Sequence, residues 1–362
     1  MVDVICNLLI LITKDRQLPL FDPNIERMHI SPYSKLLIIR FSSIGDVTQA
    51  LSIPGLIHES VPTAKIHFIT RAEFSQLVQT HPNLEKVFSL ERKDGFSGLL
   101  KMIRELRKEK YTHIYDAHNN LRSFLIRFLI LGPKKLVRPM HRWKRFLLLN
   151  FHIDLFEKPF SGQRDLLKPL EKWGIPFRLP AIPQLTIDEF HQKKVEPLLI
   201  EHKLYKTNFV VLAPSATYEL KRWPIDYWKK LIEHHPETQF VVLAGPSDQF
   251  THALDEYRNV VNLTGQTSLL ESAAIIEKAK VVVANDTGLL HFAEQLGRPA
   301  LALMGPAPFG FPSRPKTTIL EKNLKCRPCS KHGQGPCVNK NYQQCLRDIS
   351  PEIVSMELKK KL

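Results

Sequence analysis

The chain has 362 residues, 43% of them hydrophobic, with 51 Lys plus Arg against 36 Asp plus Glu, a formal charge of +15. That length excludes one ordinary domain, since domains run to about 100–200 residues, and the hydrophobic content is that of a soluble globular protein. The charge is unevenly placed: residues 101–150 hold 13 Lys or Arg and 3 Asp or Glu, a net +10, which reads either as a solvated helix face or as a surface for an anionic partner.

The chain opens with "VDVICNLLILIT", an apolar run well under the ~20 residues needed to span a bilayer. It lacks the basic flank and cleavage site of a secretory signal, so the expected location is cytoplasmic. Residues 1–34 are either an interfacial extension or upstream sequence ahead of a true start at Met28.

Strand-like runs follow at Leu36–Phe41, Lys65–Thr70, Val87–Leu90, Thr112–Ala117 and, more weakly, near Leu136, with helical patterns between them. The first run passes into "SSIGD", where Gly45 permits a tight turn, Ser42 and Ser43 can satisfy turn amides, and a helix is expected to open at Asp46. A carboxylate beyond the carboxyl end of a parallel strand is either a cap or a catalytic group. The Pro-rich segment Phe177–Thr186 reads as an interdomain linker. A second series then runs through Phe209–Ala213, Phe240–Ala244, Val260–Leu263, Val281–Asn285 and Ala300–Met304. The predicted fold is α/β, two Rossmann-like doubly wound domains facing across a cleft. The boundaries are 35–180 and 187–345, with a C-terminal helix over 346–362.

The second half carries signs of phosphate chemistry. "VVVANDTGLLHFAEQLGRP" leads a strand into Asp286, Thr287 and Gly288 and then a helix, whose free N-terminal amides suit an anion. Asp286 would serve equally as an N-cap, and His291 as a core histidine. "APSATYELKRWP" places Ser215, Thr217, Lys221 and Arg222 after another strand of the same sheet, and the two turns together describe a diphosphate site. In "AGPSD", Asp248 stands where a carboxylate could accept ribose hydroxyls.

In their order, "IIRFSSIGDV", "KRWP", "NDTGLLHFAEQLGRP", "LMGPAP" and the closing cysteines before "ISPEIV" resemble bacterial glycosyltransferase family 9, the ADP-heptose:lipopolysaccharide heptosyltransferases, over residues 35–354. The resemblance implies a GT-B fold and an inverting transfer of heptose from ADP-heptose to the lipopolysaccharide inner core, with the acceptor on the first domain and the donor on the second. It implies Asp46 as catalytic base and Lys221 on the donor diphosphate. Ser215, Thr217, Asp248, Asp286, Thr287, Gly288 and His291 complete the donor set. No two aspartates are spaced D-x-D, in keeping with a reaction that requires no metal cofactor. The acceptor set is Ser43, Arg122, Lys134, Lys135, Arg138, Arg142, Lys144 and Arg145, whose charges would also attract the inner face of the inner membrane. Basic residues beside Trp143 and Phe146 suit nucleic acid too, but that rival leaves the phosphate turns unexplained, so no nucleic-acid partner is expected. Another nucleotide sugar, or an epimerase of the same architecture, stays open. Cys326, Cys329, Cys337 and Cys345 are spaced C-x2-C-x7-C-x7-C. They are either ligands of a structural zinc or iron ion or reduced thiols.

Overall fold

The computed structural model describes residues 29–158 and 160–362. Most of the N-terminal extension, including its apolar run, lies outside the described residues. Of its last residues, Ile30 is buried and its N–H donates to the Trp173 carbonyl at 3.2 Å.

In the first domain β1 (Lys35–Ile39) is followed by α1 (Ile44–Ala50) and α2 (Ser52–Ser60), then β2 (Lys65–Arg71), α3 (Ala72–Gln79), β3 (Lys86–Leu90), α4 (Gly95–Lys108), β4 (His113–Asp116), α5 (Leu121–Leu129), β5 (Lys134–Val137), α6 (Arg142–Phe151) and α7 (Gly162–Leu167). The sheet is parallel, ordered β3-β2-β1-β4-β5. The second domain holds α8 (Glu189–Glu201), β6 (Phe209–Ala213), α9 (Ile225–Glu233), β7 (Gln239–Val242), β8 (Val260–Asn262), α10 (Leu269–Lys278), β9 (Val281–Asn285), α11 (Gly288–Leu296), β10 (Ala300–Met304), β11 (Thr317–Glu321), α12 (Gln344–Arg347) and α13 (Pro351–Lys359). Its parallel sheet is ordered β11-β10-β9-β6-β7-β8.

Buried parallel strands must be apolar on both faces. Leu36 and Ile38 of β1 enter one core and Leu37 and Ile39 another, while β6 divides Val210 and Leu212 from Val211 and Ala213 in the same way. One core runs on from the first domain into the second, from Val47 and Leu56 to Leu290 and Ala293. The C-terminal α13 packs on the second sheet's outer layer, where Val354 and Leu358 join Trp223 and Trp228.

Strand order reverses between β1 and β4 in the first sheet and between β6 and β9 in the second. At such a switch point the connections leave in opposite directions and open a crevice at the carboxyl ends of the strands. The turns after β1 and β4 therefore line one crevice, and those after β6 and β9 the other.

Candidate active site

The turn after β1 forms the first wall. The helix expected to open at Asp46 opens instead at Ile44, because Ser43 takes the extended N-cap conformation and Asp46 falls at the third helical position. Its carboxylate there accepts from the Ser43 N–H at 3.3 Å and hydroxyl at 3.0 Å, the return half of a capping box. The same Oδ2 meets the Arg40 guanidinium at 2.7 Å. Asp46 is thus cap and exposed acid at once, its side chain 41% exposed beside an almost fully buried Arg40. Burial alone would raise its pKa, but the positive charges of Arg40 and Arg138 and the two Ser43 bonds hold it well below the usual carboxylate range.

Arg40 ends the apolar strand, and nothing in the linear pattern distinguishes it from a strand residue. The one available signal is that it is the first charge at the carboxyl end of a fully buried strand. It also donates to the Ala117 carbonyl at 2.6 Å and so ties together the two turns of the crevice. Arg138 follows β5, is buried, and pairs with Asp165 at 3.3 Å. Arg145 lies 4.4 Å over the ring of Phe309, from the other domain. The buried Nε atoms of Arg40, Arg138 and Arg145 find no hydrogen-bond partner among the described residues. Three guanidiniums thus crowd one mouth around two carboxylates, Asp46 and Asp165.

The other basic candidates are scattered. Lys134 and Lys135 pair with His113 and Ile114 at the amino end of the sheet, the end opposite the Asp46 turn. Arg122 and Arg142 are exposed on α5 and α6, and Lys144 donates to the Leu155 carbonyl at 3.2 Å. Ser43 spends its hydroxyl on Asp46.

The second wall gathers the turns after β6 and β9. Lys221, in a 3₁₀ turn at Glu219–Lys221, reaches Asp286 at 2.5 Å. Asp286 is buried, and the chain at Gly310 passes so close that a Cβ there would lie 2.0 Å from its Oδ1. Thr217 is exposed, and Thr287 caps α11 with no side-chain bond, which leaves that hydroxyl and the first amides of the helix for a ligand. Asp248 is placed differently from a free ribose acceptor. It takes the Ser215 hydroxyl at 2.6 Å, the Gly245 N–H at 3.1 Å and Arg222 at 3.3 Å, so Ser215 and Asp248 serve each other.

His291 is buried and hydrogen-bonds Gln49 of the first domain at 3.1 Å. The two walls meet here with almost no space: a Cβ on Gly45 would lie 2.8 Å from the His291 ring, and one on Gly288 2.6 Å from Ile44. Below them Gln295 donates to the Thr48 carbonyl and the Ser52 hydroxyl, both at 2.9 Å, which fixes α1 against α11.

The four cysteines line one small cavity on the second domain. Asn339 donates to Cys326 Sγ and the Gln343 N–H to Cys337 Sγ, both at 3.3 Å. Burial pushes the Cys345 thiol up to about 11. Among the described residues no group of three or more His, Cys, Asp or Glu is arranged to hold a metal ion. From this segment Gly333 packs on the stem of Lys221, where a Cβ would lie 2.5 Å from Cγ.

Two Rossmann-like domains, with an acid at one switch point and a lysine beside a helix N-terminus at the other, are the arrangement of the GT-B glycosyltransferase fold. The family model described as glycosyltransferase family 9 (heptosyltransferase) matches residues 99–342, and the chain belongs to that family. It is 28% identical over 358 residues to lipooligosaccharide heptosyltransferase 2 of Haemophilus influenzae, covering 89% of this chain and 98% of the relative. Among solved structures, the ADP-heptose lps heptosyltransferase II of E. coli superposes with a TM-score of 0.68 at 23% identity, over 90% of this chain and 98% of that one. A family 9 glycosyl transferase from Veillonella parvula gives 0.70 at 19% identity, over 81% and 86%. No helix among the described residues is long and apolar enough to cross a membrane.

Proposed function

We propose that this chain moves heptose from ADP-heptose to the inner core of lipopolysaccharide with inversion at the anomeric carbon. Residues 35–180 hold the acceptor and 187–345 the donor. The observation that carries this reading is the opposition of two charged walls, Asp46 with Arg40 on one and Lys221 with Asp286 on the other. The acceptor hydroxyl attacks the anomeric carbon as the bond to the diphosphate oxygen breaks, and Asp46 takes the hydroxyl proton. Lys221 and the amides opening α11 stabilise the charge on departing ADP. Arg40, Arg138 and Arg145 are set to bind acidic groups on the acceptor. As those groups draw Arg40 away, Asp46 becomes a stronger base. The ADP-heptose and lipopolysaccharide in the names of the relatives support this choice of donor and acceptor, and the proposed site of action is the cytoplasmic face of the inner membrane.

Incubation with ADP-heptose and heptose-deficient core lipopolysaccharide should release ADP and add one heptose to the acceptor, read by mass spectrometry. Absence of both ADP binding and transfer overturns the assignment.

The cysteine segment carries a separate, structural reading as a zinc or iron site. Four thiols around one cavity supply the sulfur donors that zinc or iron takes, although they are not drawn together as ligands here, and N–H bonds to two of the sulfurs are the kind that support thiolates. Protein purified without chelator should contain about one ion per chain. Metal-free protein with four titratable thiols shows them to be reduced cysteines.

A further inference from the structure

Helix α6 is turned the wrong way for a helix of a soluble domain. Of its ten residues only Leu148 is buried, while Trp143, Phe146 and Phe151 are 53%, 57% and 60% exposed. These three stand at i, i+3 and i+8, on one face of a 3.6-residue helix, so its apolar stripe points to solvent. Helix α5 repeats the pattern. Leu121, Phe124 and Phe128, at i, i+3 and i+7, are exposed while Ile126 packs inward, and the two phenylalanine rings stack on each other 5.7 Å apart. The two helices follow the adjacent strands β4 and β5 and begin at the sheet edge that carries Asp46. Exposed apolar stripes on neighbouring elements mark an interaction surface rather than scattered surface residues.

The charge decides what covers them. Residues 121–153 contain eight Lys or Arg and no Asp or Glu. A second copy of the chain docked through this face would set positive charge against positive charge with no acid to compensate. A lipid surface bearing anionic headgroups complements both features, since basic side chains meet phosphates while Trp, Phe and Leu enter the interfacial zone. We propose that α5 and α6 form a docking face for an anionic bilayer, with the catalytic mouth held at the lipid surface. This deepens the membrane placement in the proposed function and stands independently of the identity of the donor sugar.

The test uses the chain's own fluorescence. Of its four tryptophans, Trp173, Trp223 and Trp228 are at most 1% exposed, so Trp143 alone is open to a soluble quencher. The full-length protein should co-sediment with vesicles of phosphatidylethanolamine and phosphatidylglycerol, and those vesicles should protect Trp143 from acrylamide. Phosphatidylcholine vesicles should do neither. Phe146→Glu with Phe151→Glu, and separately Phe124→Gln with Phe128→Gln, should each weaken vesicle partitioning at least about tenfold and leave ADP affinity unchanged. Retained ADP binding shows that the variants fold and separates failure of docking from failure of the donor assignment. Four results each overturn the proposal: no vesicle binding by the parent protein, equal binding to phosphatidylcholine, vesicle binding that leaves Trp143 open to quenching, or a concentration-dependent dimer abolished by the substitutions.

Discussion

Asp46 bonds its own N-cap and an almost buried arginine while remaining open to the cleft, and the proposed base must work under those constraints. From sequence, Asp46→Asn would leave folding nearly unchanged, because asparagine caps a helix about as well as aspartate. The structure alters that expectation, since the amide leaves Arg40 without its counter-charge. Stability should fall by about 1–2 kcal/mol, less than for a fully buried pair because the carboxylate is partly solvated, read as a shift in urea midpoint. Transfer should fall at least about a hundredfold, with ADP affinity measured by calorimetry unchanged. The low pKa of Asp46 in the free enzyme carries a second expectation: kcat/KM for transfer should show no acid limb from this group above about pH 4, and a kcat/KM limb near pH 5–6 that vanishes in Asp46→Asn contradicts it. Asp46 was legible in the sequence because an acid after a buried parallel strand is conspicuous. Arg40 was not, because a strand residue's linear context says nothing of how its side chain folds back over the next turn.

Placement of catalytic groups by the turns after parallel strands is a property of elements, and much of it can be read from sequence. Apolar runs bounded by turn residues mark β1, β6, β9 and β10 to within a residue or two, because strands buried on both faces must be apolar throughout. The edge strand β11 lacks that mark, because "TTILE" is only half-buried and carries just two apolar residues, although its threonines favour a strand. The basic run starting at Lys134 looks like one patch in the linear sequence, yet β5 passes through it. The strand carries Lys134 and Lys135 to the amino end of the sheet and delivers Arg138 to the cleft. In the second domain the turn after β6 is expected to bind the donor through Lys221. Lys221→Ala should weaken ADP binding by about 1.5–3 kcal/mol in calorimetry, as for a lost charge-assisted bond. It also strands the buried Asp286, so the Tm without ligand should drop as well. Adding Asp286→Asn should restore the Tm but not the affinity, and an affinity equal to that of the parent protein removes Lys221 from the donor site.

At the scale of the whole molecule, function depends on how tightly the two domains are held, which sequence periodicity does not encode. His81 hydrogen-bonds Gln184 of the linker at 3.2 Å, and within the first domain His113 lies edge-on to Trp173 with ring centroids 5.0 Å apart. Burial pushes both histidines down to about 4. A depressed folded-state pKa means that the unfolded chain binds more protons between about pH 6.5 and 4. Stability is therefore full above that window and lost on acidification through it, by on the order of 1–2 kcal/mol per histidine at pH 5, which urea midpoints at pH 7 and 5 would show. The sharper test is the contact between α1 and α11. A methyl at Gly45 would lie 2.8 Å from a carbon of the buried His291 ring and 3.8 Å from the Gly288 backbone. That ring is held by Gln49 at 3.1 Å and cannot swing aside without losing the bond. Overpacking of this kind costs about 1–3 kcal/mol, and about 1 kcal/mol returns because alanine favours the helix over glycine. Gly45→Ala should therefore lower the Tm modestly, keep ADP binding on the second wall, and reduce transfer sharply by moving Asp46 away from Lys221. Gly288→Ala, whose methyl would lie 2.6 Å from Cγ2 of the stiff, β-branched Ile44, should reduce transfer at least as much. Should Gly45→Ala raise the Tm and transfer at the parental rate, the domains yield at this contact and the close approach is not what sets the distance across the cleft.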